Sequence, residues 1–207
     1  MSEQRITSPA ELREHYPTQP AGNSLAKEVD HVTELYARWL GSSPFCVVAT
    51  VRDGGVDCSP RGDGPGFVRV RDPHTLEIPD RRGNNRLDTL QNLIADDRIG
   101  LIFLVPGVEE CVRVRGRAYL SVEPEVLDSH AVKGKRPASV IVVQVERVYF
   151  QCARAMKRSR LWDAESQVPR GVLPSAGMFT EEAGGFTEAE REAYDDALEA
   201  RQLGSLY

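Results

Sequence analysis

The sequence predicts a mainly β protein, a mostly antiparallel barrel with helices at both ends of the chain. Three observations carry this. Short runs rich in branched and aromatic residues recur between turn signals from Phe45 to Gln151. A single helical pattern interrupts them, whereas a doubly wound parallel sheet needs a helical crossover after nearly every strand. The 207 residues are 41% hydrophobic and 28% charged, an ordinary globular composition with enough chain for one substantial core, so one domain over 1–207 is expected.

In chain order, Ser8-Pro9-Ala10-Glu11 reads as a helix start, with Ser8 as cap, Pro9 at the first helical position and Glu11 returning a capping-box bond. This short helix is expected to run through His15. From Ser24, the residues Leu25, Val29, Val32, Leu35, Tyr36, Trp39 and Leu40 recur at helical spacing, with Gly41 as the stop. Strand character then begins with Phe45 to Val51, a turn at Asp53-Gly54-Gly55, and Val56 to Ser59 as the second arm of a hairpin. Further strands are expected at Phe67 to Arg71, Thr75 to Pro79, Ile99 to Val105, Val112 to Val122 and Val140 to Gln151. The intervening helix is expected from about Arg86 to Ala95. Beyond Pro- and Gly-rich stretches, Thr187-Glu188-Ala189-Glu190 repeats the capping-box pattern and leads into an acidic helix toward Arg201, read as a solvated amphipathic appendage.

Composition also excludes functions. A net charge of −5 argues against nonspecific nucleic-acid binding, which depends on Lys and Arg replacing phosphate counterions, so any anion site is local. Cys46, Cys58, Cys111 and Cys152 are widely spaced, with no CxxC pair and no neighbouring His cluster. Buried or partly buried free thiols are expected, and no metal site. His15, His31, His74 and His130 occur singly and suit ordinary surface roles. Residues 1–4 carry no basic segment before an apolar core, and no apolar run approaches the ~20 residues that span a bilayer, so a soluble, cytoplasmic protein is expected. Ser59 lacks a GxSxG elbow and His31 lacks HExxH spacing, which sets aside hydrolase and metalloprotease chemistry.

Two segments could carry chemistry. Leu76 to Asp88 passes from a strand through a polar loop into a helix, where exposed N–H groups favour anions. Arg81, Arg82 or Arg86 could add charge-assisted bonds of about 1.5–3 kcal/mol each, and Asn84 and Asn85 could cap the helix or bond a ligand. The same residues suit a solvated basic turn with an ordinary Asn cap, and spacing alone does not separate the two. In Ser59-Pro60-Arg61-Gly62-Asp63-Gly64-Pro65-Gly66-Phe67, glycine permits close backbone approach to a flat ligand and Arg61 could meet an anion. A tight loop with Arg61 paired to Asp63 is the alternative. Neither a Walker loop nor a Gly-x-Gly-x-x-Gly is present.

These two blocks, together with Cys152-Ala153-Arg154-Ala155 leading to Arg158-Ser159-Arg160-Leu161-Trp162, resemble the FMN-binding pyridoxamine-phosphate-oxidase-like proteins, and especially their subfamily of probable FMN-dependent enzymes. Phe103-Leu104-Val105-Pro106-Gly107 and Val114-Arg115-Gly116-Arg117-Ala118 support the match. The resemblance covers roughly residues 32–162 and implies an antiparallel split barrel, with an N-terminal helical segment over 8–41 and a C-terminal appendage over 163–207. It also implies a homodimer with FMN at the subunit interface. Carried over by motif, Arg81, Asn84, Asn85 and Arg86 hold the FMN phosphate and ribityl chain. Ser59, Pro60, Arg61 and Gly62, with Ile78, Pro79 and Asp80, approach the flavin, in part through backbone. Lys157, Arg158, Ser159 and Trp162 complete the pocket, across the dimer.

Members of that family often carry His immediately before the Cys152 position and Lys at the Arg154 position. Here they are Gln151 and Arg154, and neither inherits a role. The implied function is an FMN-dependent oxidoreductase, with Arg61 near the flavin, no assigned catalytic base and no identified substrate. A noncatalytic flavin-binding or flavin-sequestering protein is the alternative, followed by a deazaflavin- or haem-using relative of the same fold.

Overall fold

The computed structural model describes residues 5–53 and 55–206, so the expectations at residues 1–4 and at Gly54 lie outside the described residues. Helix α1 (Pro9–His15) starts where the sequence places it, with the Ser8 hydroxyl accepting from the Glu11 N–H at 3.2 Å. Glu11 returns its bond to the Thr7 N–H at 2.8 Å, one residue earlier than a capping box has it. The long helix expected from Ser24 to Leu40 is instead two, α2 (Gly22–Ala26) and α3 (Glu34–Ser42). Tertiary pairing breaks it. Val29 and Val148 exchange backbone hydrogen bonds of 3.0 and 2.8 Å, and the Val32 N–H donates to the Pro73 carbonyl. Those groups are no longer available to a helical ladder. Thr33 caps α3 afresh, and the helix runs one residue past Gly41.

Among the described residues one sheet is built from β1 (Phe45–Arg52), β2 (Gly55–Gly62), β3 (Arg69–Asp72), β4 (Thr75–Pro79), β5 (Arg98–Leu104), β6 (Cys111–Ser121) and β7 (Val140–Gln151). Their order is β2-β1-β5-β6-β7-β4-β3, and every neighbouring pair is antiparallel. The mainly β, antiparallel expectation therefore holds. Hydrogen bonding leaves β2 and β3 as edges, so the sheet does not close into a continuous ring. Helix α4 (Asp88–Ala95) lies between β4 and β5, and α5 (Pro124–Ser129), which the sequence reading missed, lies between β6 and β7. No helix among the described residues is long and apolar enough to cross a membrane.

The core follows from strand alternation. Cys46 and Val48 of β1, Leu101 and Phe103 of β5, and Val112 and Val114 of β6 point to one side, where they meet Leu76 and Ile78 of β4, Ile141 and Val143 of β7, Leu40 of α3 and Leu93 of α4. Burying each such side chain contributes roughly 1.5–3 kcal/mol. Along β4 and the start of β7 both faces are covered: Glu77, Val140 and Val142 are buried too, outside the main core cluster. Between β6 and β7, Arg115 opposes Arg147 but Gly116 opposes Val145, so Glu146 is an extra residue and the sheet bends there. A Cβ on Gly116 would lie 2.0 Å from the Gln144 carbonyl oxygen. Only glycine fits this bulge.

Past β7 come α6 (Arg154–Ser159), α7 (Ala176–Glu182) and α8 (Glu188–Leu203). The expected capping box is present, with the Thr187 N–H donating to Glu190 at 2.8 Å and Glu190 N–H to the Thr187 hydroxyl at 3.4 Å. Asp195 of α8 accepts from the Gly177 N–H at 2.9 Å and from the Ser175 hydroxyl, so a side chain of α8 braces the capped start of α7.

Candidate functional site

The chain from the end of β4 to α4 is held at several points. Asp80 N–H donates to the Ser139 carbonyl at 2.9 Å, fastening the loop to the segment entering β7. Arg81 donates through Nε to Asp63 at 2.8 Å and through Nη1 to the His130 carbonyl at 2.8 Å. Its guanidinium thus ties this loop to the turn after β2 and to the end of α5. Asp63 is itself buried and also accepts from the Gly64 N–H at 2.7 Å.

Further along, the Asn84 side chain accepts from the Arg86 N–H at 3.1 Å, and Asn85 and Leu87 adopt left-handed backbone with φ of 59° and 61°. Neither asparagine caps the helix. α4 begins at Asp88, two residues later than expected, and Leu87 precedes it without a side-chain cap. The N–H groups of this first turn are therefore available to a ligand, the arrangement that favours an anion.

On β2, Arg61 Nη1 donates to the Ser59 hydroxyl at 2.6 Å and to the Pro60 carbonyl at 2.9 Å, and Nη2 lies 3.9 Å from Asp80. The alternative of Arg61 paired to Asp63 is not what forms, because Arg81 occupies Asp63. Burial pushes the Asp80 carboxyl above its usual range, with the Arg61 charge opposing.

These elements enclose a cleft of about 1200 Å³. Ser59, Pro60, Arg61, Gly62, Pro79, Asp80, Arg81, Asn84, Asn85 and Arg86 all line it. Ile78 does not, because strand alternation turns its side chain into the core. Lys157, Arg158 and Ser159 sit on α6, where Lys157 pairs with Glu109 at 2.9 Å. Trp162 donates from Nε1 to the Val108 carbonyl at 2.8 Å. Within one chain none of these four lines the cleft.

The cleft also has walls that the sequence reading missed. Lys135 and Arg136 come from the segment before β7 and Leu206 from the C-terminal end, and they join Phe67, the last residue of the second candidate segment. The basic run Lys133-Gly134-Lys135-Arg136 was the available signal for the first two. Behind the cleft, His130 is buried, contrary to the expected surface role, with Nε2 3.1 Å from Glu77, which also pairs with Arg71 at 3.3 Å. Burial pushes the His130 pKa below its usual value, with Glu77 opposing. The four cysteines are free; Cys46 and Cys111 are buried, whereas Cys58, which lines the cleft, and Cys152 are exposed. Burial pushes the Cys46 thiol up to about 12.

In a chain of net charge −5, this cleft gathers Arg61, Arg81, Arg82, Arg86, Lys135 and Arg136 against Asp57, Asp80 and Asp88. Its floor at Pro60, Gly62 and Phe67 presents backbone and apolar surface. Such a site suits a ligand with an anionic end and a flat body.

Comparison with known proteins bears on this geometry. No curated protein matches the chain. Similar solved structures include HupZ from Group A Streptococcus, 18% identical with a TM-score of 0.48, covering 57% of this chain and 93% of that one. An FAD binding protein from Mycobacterium smegmatis is 16% identical with a TM-score of 0.43, covering 59% of this chain and 97% of that one. A Clostridium acetobutylicum protein related to general stress protein 26 is 11% identical with a TM-score of 0.44, covering 56% of this chain and 86% of that one. The family model for pyridoxamine 5'-phosphate oxidase matches residues 32–152, which take in the whole sheet, the turn after β2 and the loop between β4 and α4. On that match, the chain belongs to the pyridoxamine 5'-phosphate oxidase family.

Proposed function

We propose that this protein binds FMN in the cleft and acts as an FMN-dependent oxidoreductase. The observation that carries the reading is the loop from Arg81 to Arg86, clamped by Asp63 and leading into an uncapped helix start, inside the segment that matches the family. The residues fit the cofactor. Arg86, Asn84, Asn85 and the first turn of α4 would hold the phosphate and ribityl chain, with Arg81 fixing the loop. Ser59 to Gly62, Pro79 and Asp80 would border the flavin ring. Bound FMN supplies reversible electron exchange. The protein's part is to orient the ring and to keep the Arg61 charge beside it, held in place by Ser59, Pro60 and Asp80.

A homodimer belongs to this proposal. The face of β1 and β5 that points away from the core carries Val47, Val51, Ile102 and Leu104, all half-exposed, with Val47 directly opposite Ile102. A second copy packed on this face would bury them, and the reading of the sheet as a split barrel belongs to the same proposal. The second copy would also bring Lys157, Arg158, Ser159 and Trp162 of one protomer to the other's cleft. The single domain over 1–207 and a cytoplasmic location complete the reading.

Reconstitution with FMN followed by absorbance and native mass spectrometry tests it. One FMN per chain in a dimer is expected, and no retained flavin sinks the reading. Gln151 and Arg154, standing where relatives often have His and Lys, favour a second reading, a noncatalytic flavin carrier. Bound FMN that neither NADH nor NADPH reduces would support it over the enzyme.

A further inference from the structure

A second cavity of about 760 Å³ adjoins the cleft and shares Gly62, Arg81, Arg82, Asn84 and Leu206 with it. Its far wall is the end of α8 and the residues after it, Arg201, Gln202 and Ser205. The C-terminal appendage, remote in sequence from every family motif, thus forms one side of a space that opens onto the cofactor cleft.

The charges in this annex differ from those of the cleft. Arg61, Arg81, Arg86 and Arg136 each have a carboxylate partner, in Asp80, Asp63, Asp88 and Asp128. Among the described residues Arg82 has no hydrogen bond or ion pair, and the Arg201 guanidinium has no carboxylate partner but stacks 4.2 Å from the centre of the Tyr194 ring. A stacked guanidinium is restrained in orientation while its in-plane N–H groups remain donors for an oxyanion. Asp63, the annex's acidic residue, is already taken up by Arg81 and the Gly64 N–H. Two exposed arginines without carboxylate partners among the described residues therefore line one cavity and leave positive charge unneutralised next to the cleft.

We propose that Arg82 and Arg201 form an anion subsite for the molecule that meets the cofactor, taking a carboxylate or phosphate group of a small anionic substrate. This rests on the reading of the larger cleft as the flavin site. The subsite is separate from the residues assigned to the FMN phosphate, so an anion and FMN bind together.

The test uses the full-length protein, with and without FMN. Inorganic phosphate and succinate are titrated while the arginine Nε–Hε NMR signals are followed, in the wild type and in Arg82→Ala, Arg201→Ala and, as a control on α3, Arg38→Ala. The Arg82 and Arg201 signals are expected to shift on titration in both forms. Either alanine substitution is expected to weaken binding about tenfold, the effect of losing one charge-assisted bond. Arg38→Ala is expected to leave binding unchanged, and FMN affinity is expected to stay within about twofold of wild type in Arg201→Ala, a difference too small to mark a lost direct bond. A response to phosphate alone assigns a phosphoryl substrate, and a response to succinate assigns a carboxylate; both support the subsite. Anion binding that is unaltered by both substitutions, or that is abolished by FMN, overturns it. If FMN fails to bind while the flavin-free protein shows the anion response and its loss in both variants, the subsite stands and the flavin reading falls.

Discussion

Two side chains, Asp63 and His130, show how the loop is held from behind. The Asp63 side chain packs against Arg81, and removing its charge replaces the ion pair by a neutral acceptor beside the His130 carbonyl. Asp63→Asn is expected to weaken FMN binding about tenfold, read from flavin fluorescence quenching, because a disordered loop must be reordered on binding. His130 gives a pH dependence whose sign is set by burial. Its folded pKa lies below the unfolded value of about 6.5, so the unfolded chain binds more protons as pH falls. The stability held above pH 6.5 is lost as pH falls from there through the folded value. Denaturation midpoints at pH 7.5 and 5.5 should show this fall in the wild type and a smaller one in His130→Gln. Equal falls would mean that the His130–Glu77 pair does not titrate with folding.

At the scale of elements, the bulge between β6 and β7 decides how two strands that border the core bend past each other. Gly116→Ala drives a methyl group into the Gln144 carbonyl and is expected to cost about 3 kcal/mol, the upper range for forced overpacking. Urea denaturation would measure it, and a cost under about 1 kcal/mol would show that the strands yield freely. The loop into α4 is a second such element. With Asn85 and Leu87 in left-handed backbone, the chain turns sharply enough to leave the helix start uncapped and facing the cleft. Non-glycine residues hold that conformation at a cost of order 1 kcal/mol each, sustained by the surrounding clamps.

For the whole molecule, the half-exposed face of β1 and β5 is where association is expected. Ile102→Glu places a charge opposite Val47 and is expected to convert a dimer to monomers in native mass spectrometry and to lower FMN affinity, since the proposed site draws on both protomers. Unchanged dimer mass would move the interface elsewhere. At this scale, too, the C-terminal appendage acquires a meaning that its acidic, amphipathic sequence does not suggest. Leu206 reaches the cleft and Arg201, Gln202 and Ser205 line the adjoining cavity, although α8 packs mainly on α7.

Local rules made much of this legible. Runs of branched and aromatic residues between turn signals placed β1, β4 and β7 to within a residue, and the pairs Ser8 with Glu11 and Thr187 with Glu190 marked helix starts, because strand and cap physics act over a few positions. The motif residues from Ser59 to Gly62 and from Pro79 to Arg86 were legible as two separate segments, but β2 and β4 lie far apart in the sheet order, so their meeting at one cleft is a tertiary result. Tertiary structure alone decided the break at Val29, which needs Val148, the clamp of Arg81 by Asp63, the burial of His130 against Glu77, and the arrival of Leu206 at the cleft. Each joins residues far apart in the chain, so its free energy depends on the completed fold, and no local pattern of spacing or composition carries its trace.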